Sequence, residues 1–233
     1  MTLGQLAIII PAYNEKDSLS RVLNKIETYC CHIPFHVYLV VDSPDDSSLY
    51  YAKRSKLDSK FLSILVQNAI GPAHAIKFAI EAVTETLIVV LTADDTDDVC
   101  DLPIIYEKLT SGSVLVSASR YVLGGKFEGG PILKRLLSVS ASKLLEVRHG
   151  IIASDPTNGY KGFSKDLYLT GVRSHKSGFT YGLQMLLYCL KKKLVISVIP
   201  TNWHDRKEGA SSFKVLRWLP SYTYWFIRIM FVK

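Results

Sequence analysis

The sequence predicts an α/β fold with a mostly parallel central sheet flanked by helices. Short apolar runs bounded by turn residues alternate with longer runs of helical periodicity, which is the order that strand–helix–strand units produce. The 233 residues are 48% hydrophobic and 21% charged, enough apolar material for one substantial core. Three of the apolar runs end in polar or acidic residues, and in an open parallel sheet such ends share the edge where ligands bind.

The first half of the chain reads as strand, helix, strand, strand and helix. The strands are apolar runs closed by turn residues, and the helices repeat apolar residues at helical spacing. We predict these elements at Leu6–Ile10, Ser18–Tyr29, Val37–Val41, Leu62–Val66 and Ala73–Val83.

The second half continues the alternation. We predict its elements at Leu87–Leu91, Leu102–Leu109, Val114–Ser117, Leu133–Val147, Tyr181–Lys192 and Val195–Ile199. The helix Tyr181–Lys192 ends in lysines, which favour the negative end of a helix dipole. The segment Gly124–Pro131 contains four glycines, which predicts a mobile loop of the kind that closes over ligands.

The two ends of the chain differ in character. The first apolar run is too short for a secretory signal and has no basic residues before it, so we interpret it as the first strand. The last run, Val215–Val232, is interrupted by Arg217, Pro220 and Arg228 and falls short of the roughly 20 apolar residues of a spanning helix. Its Trp, Tyr and Arg residues predict a segment in the headgroup region of a membrane, with a packed terminal helix as the alternative. We therefore divide the chain into a main domain, residues 1–212, and an amphipathic segment, residues 213–233.

The net charge of +7 and the pI of about 9.1 predict an anionic partner: nucleic acid, an acidic membrane surface or a phosphorylated substrate. We expect no nucleic-acid partner, because the basic residues are dispersed and no stacking motif accompanies them. The four cysteines lack the paired spacing of a zinc site, which favours reduced thiols in a cytosolic protein.

The most acidic stretch follows the predicted strand Leu87–Leu91, where Asp94–Asp98 contains four aspartates. These carboxylates repel one another unless a cation lies among them. Mg²⁺ or Mn²⁺ carrying a phosphorylated ligand is the usual solution, because hard oxygen ligands suit these ions. A solvated acidic loop is the alternative.

Six motifs, which together span roughly residues 6 to 214, resemble family 2 of the glycosyltransferases. Within that family they are most similar to the dolichol-phosphate mannose synthases and related polyprenyl-phosphate sugar transferases. The motifs are Ile8–Glu15, Val40–Asp42, Ala93–Asp98, Ser119–Gly125, Asp155–Phe163 and Asp205–Ser211. The resemblance implies a nucleotide-sugar-binding fold of the GT-A type, a nucleotide-sugar donor, and a catalytic domain at residues 1–212.

The resemblance also implies where the donor and its cation bind. The base and ribose are expected at residues after the first two strands, for which a helix-capping turn or a strand-end cap is the local alternative. These residues are Pro11, Ala12, Tyr13, Asn14, Glu15 and Asp42. Many relatives have Asp-Ala-Asp where this chain has Thr92-Ala93-Asp94, so Asp94 is the predicted surviving metal ligand. Thr96 is predicted to supply the second ligand oxygen. Asp95 or Asp97 could supply that oxygen instead. The remaining alternative is that the protein has lost its dependence on a metal.

Four cations are assigned on the same basis. Arg120 and Arg206 are predicted to stabilise the leaving diphosphate, Arg120 by a bidentate clamp, for which a surface ion pair is the alternative. Lys134 and Arg135 open a helix and are predicted to attract an acceptor phosphate. Ser211 belongs to the same late motif as Arg206 and is predicted to bind substrate.

The acceptor is predicted from one substitution. Gln184 stands in the predicted substrate site where relatives carry Glu, and an amide cannot accept a proton usefully. This favours a polyprenyl phosphate, which is already ionised, over a saccharide hydroxyl in surface-polysaccharide assembly, for which Asp97 or Asp155 would have to act as base. We therefore predict an inverting hexosyltransferase that is cytoplasmic and peripheral at the inner face of a membrane.

A non-catalytic sugar-nucleotide binder is the alternative of a different class. It is favoured by three departures from the family pattern, in which Thr92, Gln184 and Ser212 stand where relatives carry Asp, Glu and Lys.

Overall fold

The computed structural model describes residues 4–69, 71–173, 180–205 and 215–232. The strands in this part of the chain are β1 Leu6–Pro11, β2 Phe35–Val41, β3 Leu62–Val66, β4 Leu87–Val90, β5 Leu115–Ser119, β6 Lys126–Glu128, β7 Lys161–Ser164, β8 Ile196–Pro200 and β9 Asn202–His204. The helices are α1 Asp17–Tyr29, α2 Ser48–Lys53, α3 Pro72–Ala82, α4 Leu102–Thr110, α5 Ile132–His149, α6 Lys165–Gly171, α7 Tyr181–Lys192 and α8 Val215–Met230.

Seven strands form the central sheet in the order β3-β2-β1-β4-β7-β5-β8. Neighbouring strands run parallel except around β7, which is antiparallel to both β4 and β5. The remaining two strands, β6 and β9, form a small parallel pair of their own. The chain first proceeds outward from β1 to β2 and β3 and then returns to the other side of β1 as β4. This reversal opens a crevice between the carboxyl ends of β1 and β4.

Helices cover both faces of the sheet. Alternate residues of β1 point to opposite faces, so Ile8 packs with α1 and α4 while Ile9 packs with α3 and α7. Strands buried on both faces must be apolar throughout, which explains the unbroken run of β1.

One close approach depends on a glycine. A Cβ atom on Gly162 of β7 would lie 2.2 Å from Cγ2 of Ile105, so the α4 side chain rests directly on the strand backbone.

The structure confirms all eleven predicted elements with boundary shifts of at most two residues, and it adds β6, β7, β9, α2 and α6. The prediction of a mobile loop over Gly124–Pro131 is wrong in part, because β6 lies within it. The ring of Phe127 stacks on Trp203 of β9 with centroids 4.6 Å apart, and this contact holds the two strands together.

The C-terminal helix α8 packs against α7 and α5 through one face, which includes Trp225 and Ile229. Arg148 and His149 of α5 bind backbone carbonyl oxygens at the C-terminal end of α8. His149 Nε2 lies 2.8 Å from the oxygen of Ile229. Among the described helices, none combines the length and the apolar character that crossing a membrane requires. The division at residue 212 stays a prediction.

Candidate active site

The carboxyl ends of β1, β2 and β4 lie at one edge of the sheet, because the three strands are parallel neighbours. This edge carries Pro11 at the end of β1, Asp42 after β2 and Asp94 after β4. The topology therefore brings together the three polar strand ends that the sequence analysis singled out.

The turn after β1 is held from outside by the segment that follows β2. The carboxylate of Asp46 accepts hydrogen bonds from the backbone N–H groups of Asn14 (3.1 Å) and Ser48 (2.8 Å), and the Ser48 hydroxyl accepts one from the N–H of Glu15 (2.9 Å). Asn14 has a φ of 51°, a left-handed conformation that this anchoring maintains. The helix-capping alternative is wrong, because the N-cap of α1 is Lys16 and no side chain caps it.

The remaining residues of the predicted donor site lie around this turn. Ala12 is buried and Tyr13 is exposed beside it. Asp42 is partly buried and accepts a hydrogen bond from the side-chain amide of Gln67, the residue that follows β3.

Four side chains after β4 form a continuous oxygen network. Asp94 Oδ1 accepts a hydrogen bond from Thr96 Oγ1 (2.7 Å), the hydroxyls of Thr96 and Thr92 are 3.2 Å apart, and Thr92 Oγ1 donates to Asp97 Oδ2 (2.8 Å). All four residues line one pocket. The donor set consists of hard oxygens from two carboxylates and two hydroxyls, which fits Mg²⁺ or Mn²⁺.

The other two aspartates of the acidic stretch make different contacts. Asp95 forms ion pairs with Lys25 (2.6 Å) and Arg21 (3.2 Å) of α1, and Asp98 accepts a hydrogen bond from the amide of Asn202 (3.1 Å). The stretch is therefore not a uniformly solvated loop.

Burial, together with the negative charge of Asp94, raises the pKa of Asp97 to about 6. Hydrogen bonds from Thr92 and the positive charge of Arg120 oppose that shift. A cation bound here would reduce the repulsion between this buried carboxylate and the second carboxylate beside it.

Arg120, directly after β5, is buried and paired with Asp155. Its Nε donates to Asp155 Oδ2 (2.7 Å) and its Nη2 to Oδ1 (2.8 Å). Three aromatic rings surround the guanidinium, with Cζ 4.8 Å from the Phe127 centroid, 5.3 Å from that of Tyr121 and 5.9 Å from that of Trp203. The alternative of a surface ion pair is wrong, because the pair is buried; the phosphate clamp stays a prediction.

A buried lysine lies behind this pair. Lys161 of β7 donates to the hydroxyl of Ser117 (2.5 Å), and its Nζ is 3.5 Å from the backbone oxygen of Asp155. Burial lowers the pKa of Lys161 to about 8, although the charge of Asp155 opposes the shift.

The pocket has a volume of about 650 Å³ and two kinds of lining. The segments that follow β4 and β5 contribute polar residues, namely the four residues of the oxygen network and Arg120. Helices α5 and α8 contribute apolar side chains: Leu137, Ala141, Leu144, Leu219, Tyr222 and Phe226. The pocket therefore joins a polar, cation-compatible part to an apolar groove lined by two helices.

Helix α5 places serines on its buried face and several leucines outward, although Leu145 is buried in the core. On its buried face Ser138 shares a hydrogen bond with Thr157 (2.6 Å), and Ser142 accepts one from the backbone N–H of Asp155 (3.0 Å). Its outward face carries exposed apolar residues, namely Ile132, Leu136, Leu137, Leu144 and Val147. Helix α8 adds Leu219, Tyr224 and Ile227, and Phe231 follows it. We call these nine residues the apolar patch.

The predicted cations at the start of α5 lie near the aromatic cluster. Lys134 lines the pocket with Nζ 5.7 Å from the Trp203 centroid, and Arg135 has Cζ 5.7 Å from that of Phe127.

Gln184 lies away from the pocket. It is buried on α7, accepts a hydrogen bond from the N–H of Arg173 (2.9 Å), and does not line the pocket. Arg206 and Ser211 lie outside the described residues.

Sequence reasoning missed three features of the site. The pairing of Asp155 with Arg120 joins residues 35 positions apart, and no local pattern signals it. Trp203 joins the site because the antiparallel bridge between residues 97 and 203 brings β9 against the acidic stretch. The third feature is the outward placement of several leucines on α5, for which the serines spaced between them were the available signal.

A family model described as glycosyl transferase family 2 matches residues 7–170. The dolichol-phosphate mannosyltransferase of Pyrococcus furiosus is 25% identical over 214 residues, which are 90% of this chain and 59% of that protein. The undecaprenyl-phosphate mannosyltransferase of Micrococcus luteus is 27% identical over 213 residues, covering 87% of this chain and 85% of that protein. This chain therefore spans less than two thirds of the archaeal relative's length.

One solved structure with a similar fold is that of glucosyl-3-phosphoglycerate synthase from Mycobacterium tuberculosis in complex with Mn²⁺, UDP and glucosyl-3-phosphoglycerate. Its TM-score is 0.64 at 16% sequence identity, and the match covers 97% of this chain and 77% of that chain. This likeness confirms the predicted GT-A type of fold.

Proposed function

The chain belongs to glycosyl transferase family 2, and we propose that it transfers a hexose from a nucleotide sugar to a polyprenyl phosphate at a membrane surface, inverting the anomeric carbon. The names of the archaeal and bacterial relatives, which act on dolichol phosphate and undecaprenyl phosphate, support this acceptor class. The proposal covers residues 1–212 as the catalytic domain.

The observation that carries the proposal is the two-sided character of the pocket. Its polar part suits a diphosphate with its cation, and its apolar groove suits a hydrocarbon chain. Leu137, Leu144 and Leu219 line the groove and are also 42%, 52% and 39% exposed, so the groove opens onto the apolar patch. A lipid could thus enter the groove from a membrane that covers the patch.

The donor would occupy the sheet edge. The turn Pro11–Glu15 and Asp42 offer backbone and carboxylate groups that can contact a base and ribose. Asp94 and Thr96 would hold Mg²⁺ or Mn²⁺, and the UDP and Mn²⁺ in the mycobacterial structure support that cofactor class. A bound divalent cation would neutralise charge on the departing nucleoside diphosphate.

The chain's own residues would mainly position the reactants. An acceptor phosphate oxygen forms the new bond to the anomeric carbon as the bond to the diphosphate breaks. Because that oxygen is already ionised, the step needs orientation and no strong base. Lys134 would attract the acceptor phosphate, and Arg206 would attract the diphosphate of the donor. The Arg120–Asp155 pair would hold the pocket wall beside these two groups in place.

Contact with the membrane would come from the apolar patch and the basic residues beside it. Nine exposed apolar side chains on α5, α8 and the residue after α8 exceed what scattered surface residues explain. Arg135, Lys143, Arg148 and Arg228 lie on the same two helices and would favour anionic lipids. This arrangement supports peripheral association, which we assign to the cytoplasmic face.

The test is to incubate the full chain with radiolabelled nucleotide sugars, Mn²⁺ and polyprenyl phosphate. Label in an organic-extractable product is the expected result, and Asp94→Asn should abolish it. Failure with every donor tested would contradict the lipid acceptor.

Transfer to a saccharide hydroxyl is the second candidate. It needs a base, and Asp97 is a pocket carboxylate whose pKa burial raises to about 6. Labelled oligosaccharide in place of labelled lipid would favour this reaction.

A further inference from the structure

We propose that Asp97 supplies the second carboxylate of the divalent-cation site, in place of the carboxylate that residue 92 lacks. The inference rests on the proposed function, because it concerns the cation that would accompany the donor diphosphate. Among the oxygen donors of the acidic stretch, the proposal assigns Asp97 as the second ligand.

The geometry places the Asp97 carboxylate beside the side chain of residue 92. Asp97 Oδ2 lies 2.8 Å from Thr92 Oγ1 and 3.2 Å from the Thr92 backbone nitrogen. A carboxylate at position 97 therefore occupies the space next to the one that an aspartate at position 92 would fill. Both of these hydrogen bonds fall on Oδ2, and in the described part of the chain none is given to Oδ1.

The other two carboxylates of the acidic stretch, those of Asp95 and Asp98, bind partners outside the pocket. Asp95 forms its ion pairs with Arg21 and Lys25 of α1 and does not line the pocket. Asp98 bonds to Asn202 and also does not line the pocket. Asp94 and Asp97 are therefore the two carboxylates of this stretch that face the pocket.

Charge explains why a second carboxylate matters. Threonine hydroxyls are neutral and bind a divalent cation weakly, whereas two carboxylates balance its charge. Thr96 donates its hydroxyl hydrogen to Asp94 and Thr92 donates its own to Asp97, and the two hydroxyl oxygens are 3.2 Å apart, so the two carboxylates lie on either side of the threonine pair. A cation between them would replace a repulsion by two attractions.

The test measures Mn²⁺ binding by the full chain without nucleotide or lipid, from the loss of the free-ion EPR signal. Asp97→Asn removes the charge but keeps an oxygen that can accept from Thr92, and it should weaken binding at least about tenfold. Thr92→Asp combined with Asp97→Asn returns a carboxylate to the same space and should restore binding. Asp95→Asn is the matched control and should bind as the wild type does.

Three results would overturn the proposal: wild-type Mn²⁺ binding in Asp97→Asn, no recovery in a folded double variant, or no binding by the wild type. Circular dichroism and thermal melting verify that each variant is folded. Because neither donor nor acceptor is present, this outcome is independent of the lipid-product assay, so failure of one proposal is distinguishable from failure of the other.

Discussion

Arg120 and Asp155 form a bidentate ion pair with side chains that are 6% and 0% exposed. The same carboxylate also accepts a hydrogen bond from the backbone N–H of Arg120 (3.0 Å), so it fixes the end of β5 as well as the guanidinium. The pair has no net charge, and Arg120 forms a fixed part of the pocket wall.

Removing the negative charge should destabilise the fold strongly. Asp155→Ala leaves Arg120 buried without a counter-charge, a loss that typically costs about 3–5 kcal/mol. Urea unfolding should show this drop in the free energy of unfolding. The control is Glu81→Ala, which breaks the exposed pair Lys77–Glu81 and should cost no more than about 0.5 kcal/mol. Similar losses in both variants would contradict this account of the Arg120–Asp155 pair.

Lys161 should make stability depend on pH. Burial lowers its pKa from 10.5 to about 8 in the folded state. Between these values the unfolded chain binds a proton that the folded chain has released, so stability rises with pH across this window. Relative to Lys161→Met, the wild type should gain roughly 1–2 kcal/mol between pH 8 and pH 9.5. Chemical denaturation at several pH values measures the difference, and a flat profile would refute the buried, shifted lysine.

The main sheet could be predicted because its strands obey simple rules. Strands buried on both faces, such as β1 and β4, must be apolar, and such runs are visible in the sequence. Strand β7 escapes this rule: it reads Lys-Gly-Phe-Ser, and its lysine is buried only because Ser117 and the backbone of Asp155 lie nearby. Such partners exist only in the folded chain.

The candidate site could likewise be predicted only in part from the sequence. The rule that ligands bind at the carboxyl ends of parallel strands pointed to the strand ends that carry Asp42 and Asp94, and the family resemblance assigned Asp42 to the donor site. The contacts of each aspartate could not be predicted in this way. Asp95 turns toward α1 with a φ of 62° while Asp97 turns into the pocket, and these opposite directions follow from the backbone conformation of the loop.

The apolar patch should bind lipid vesicles. Replacing Leu136 and Val147 together by Glu puts two charges on the exposed face of α5, where Val147 is 89% exposed. Flotation with anionic vesicles should recover the wild type with the lipid and should lose the double variant. Neither side chain is part of the buried core, so the thermal midpoint should change little.

The control for flotation is Ile104→Glu, which adds a charge at an exposed apolar position on α4. That variant should float as the wild type does. Equal flotation of all three proteins would contradict a membrane role for the patch.

Filling the groove should separate acceptor binding from donor chemistry. Ala141 lines the groove on α5, and Ala141→Trp would place an indole where the hydrocarbon chain is proposed to lie. We expect KM for polyprenyl phosphate to rise at least about tenfold, which corresponds to about 1.4 kcal/mol of lost binding. The proposed enzyme should also release nucleotide slowly from the donor alone when metal is present, and this release should persist because Ala141 is not part of the oxygen network. Leu169→Trp, at an exposed position on α6, is the matched control and should leave both activities unchanged. If Ala141→Trp instead lowered nucleotide release and left KM for the lipid unchanged, the groove would belong to the donor.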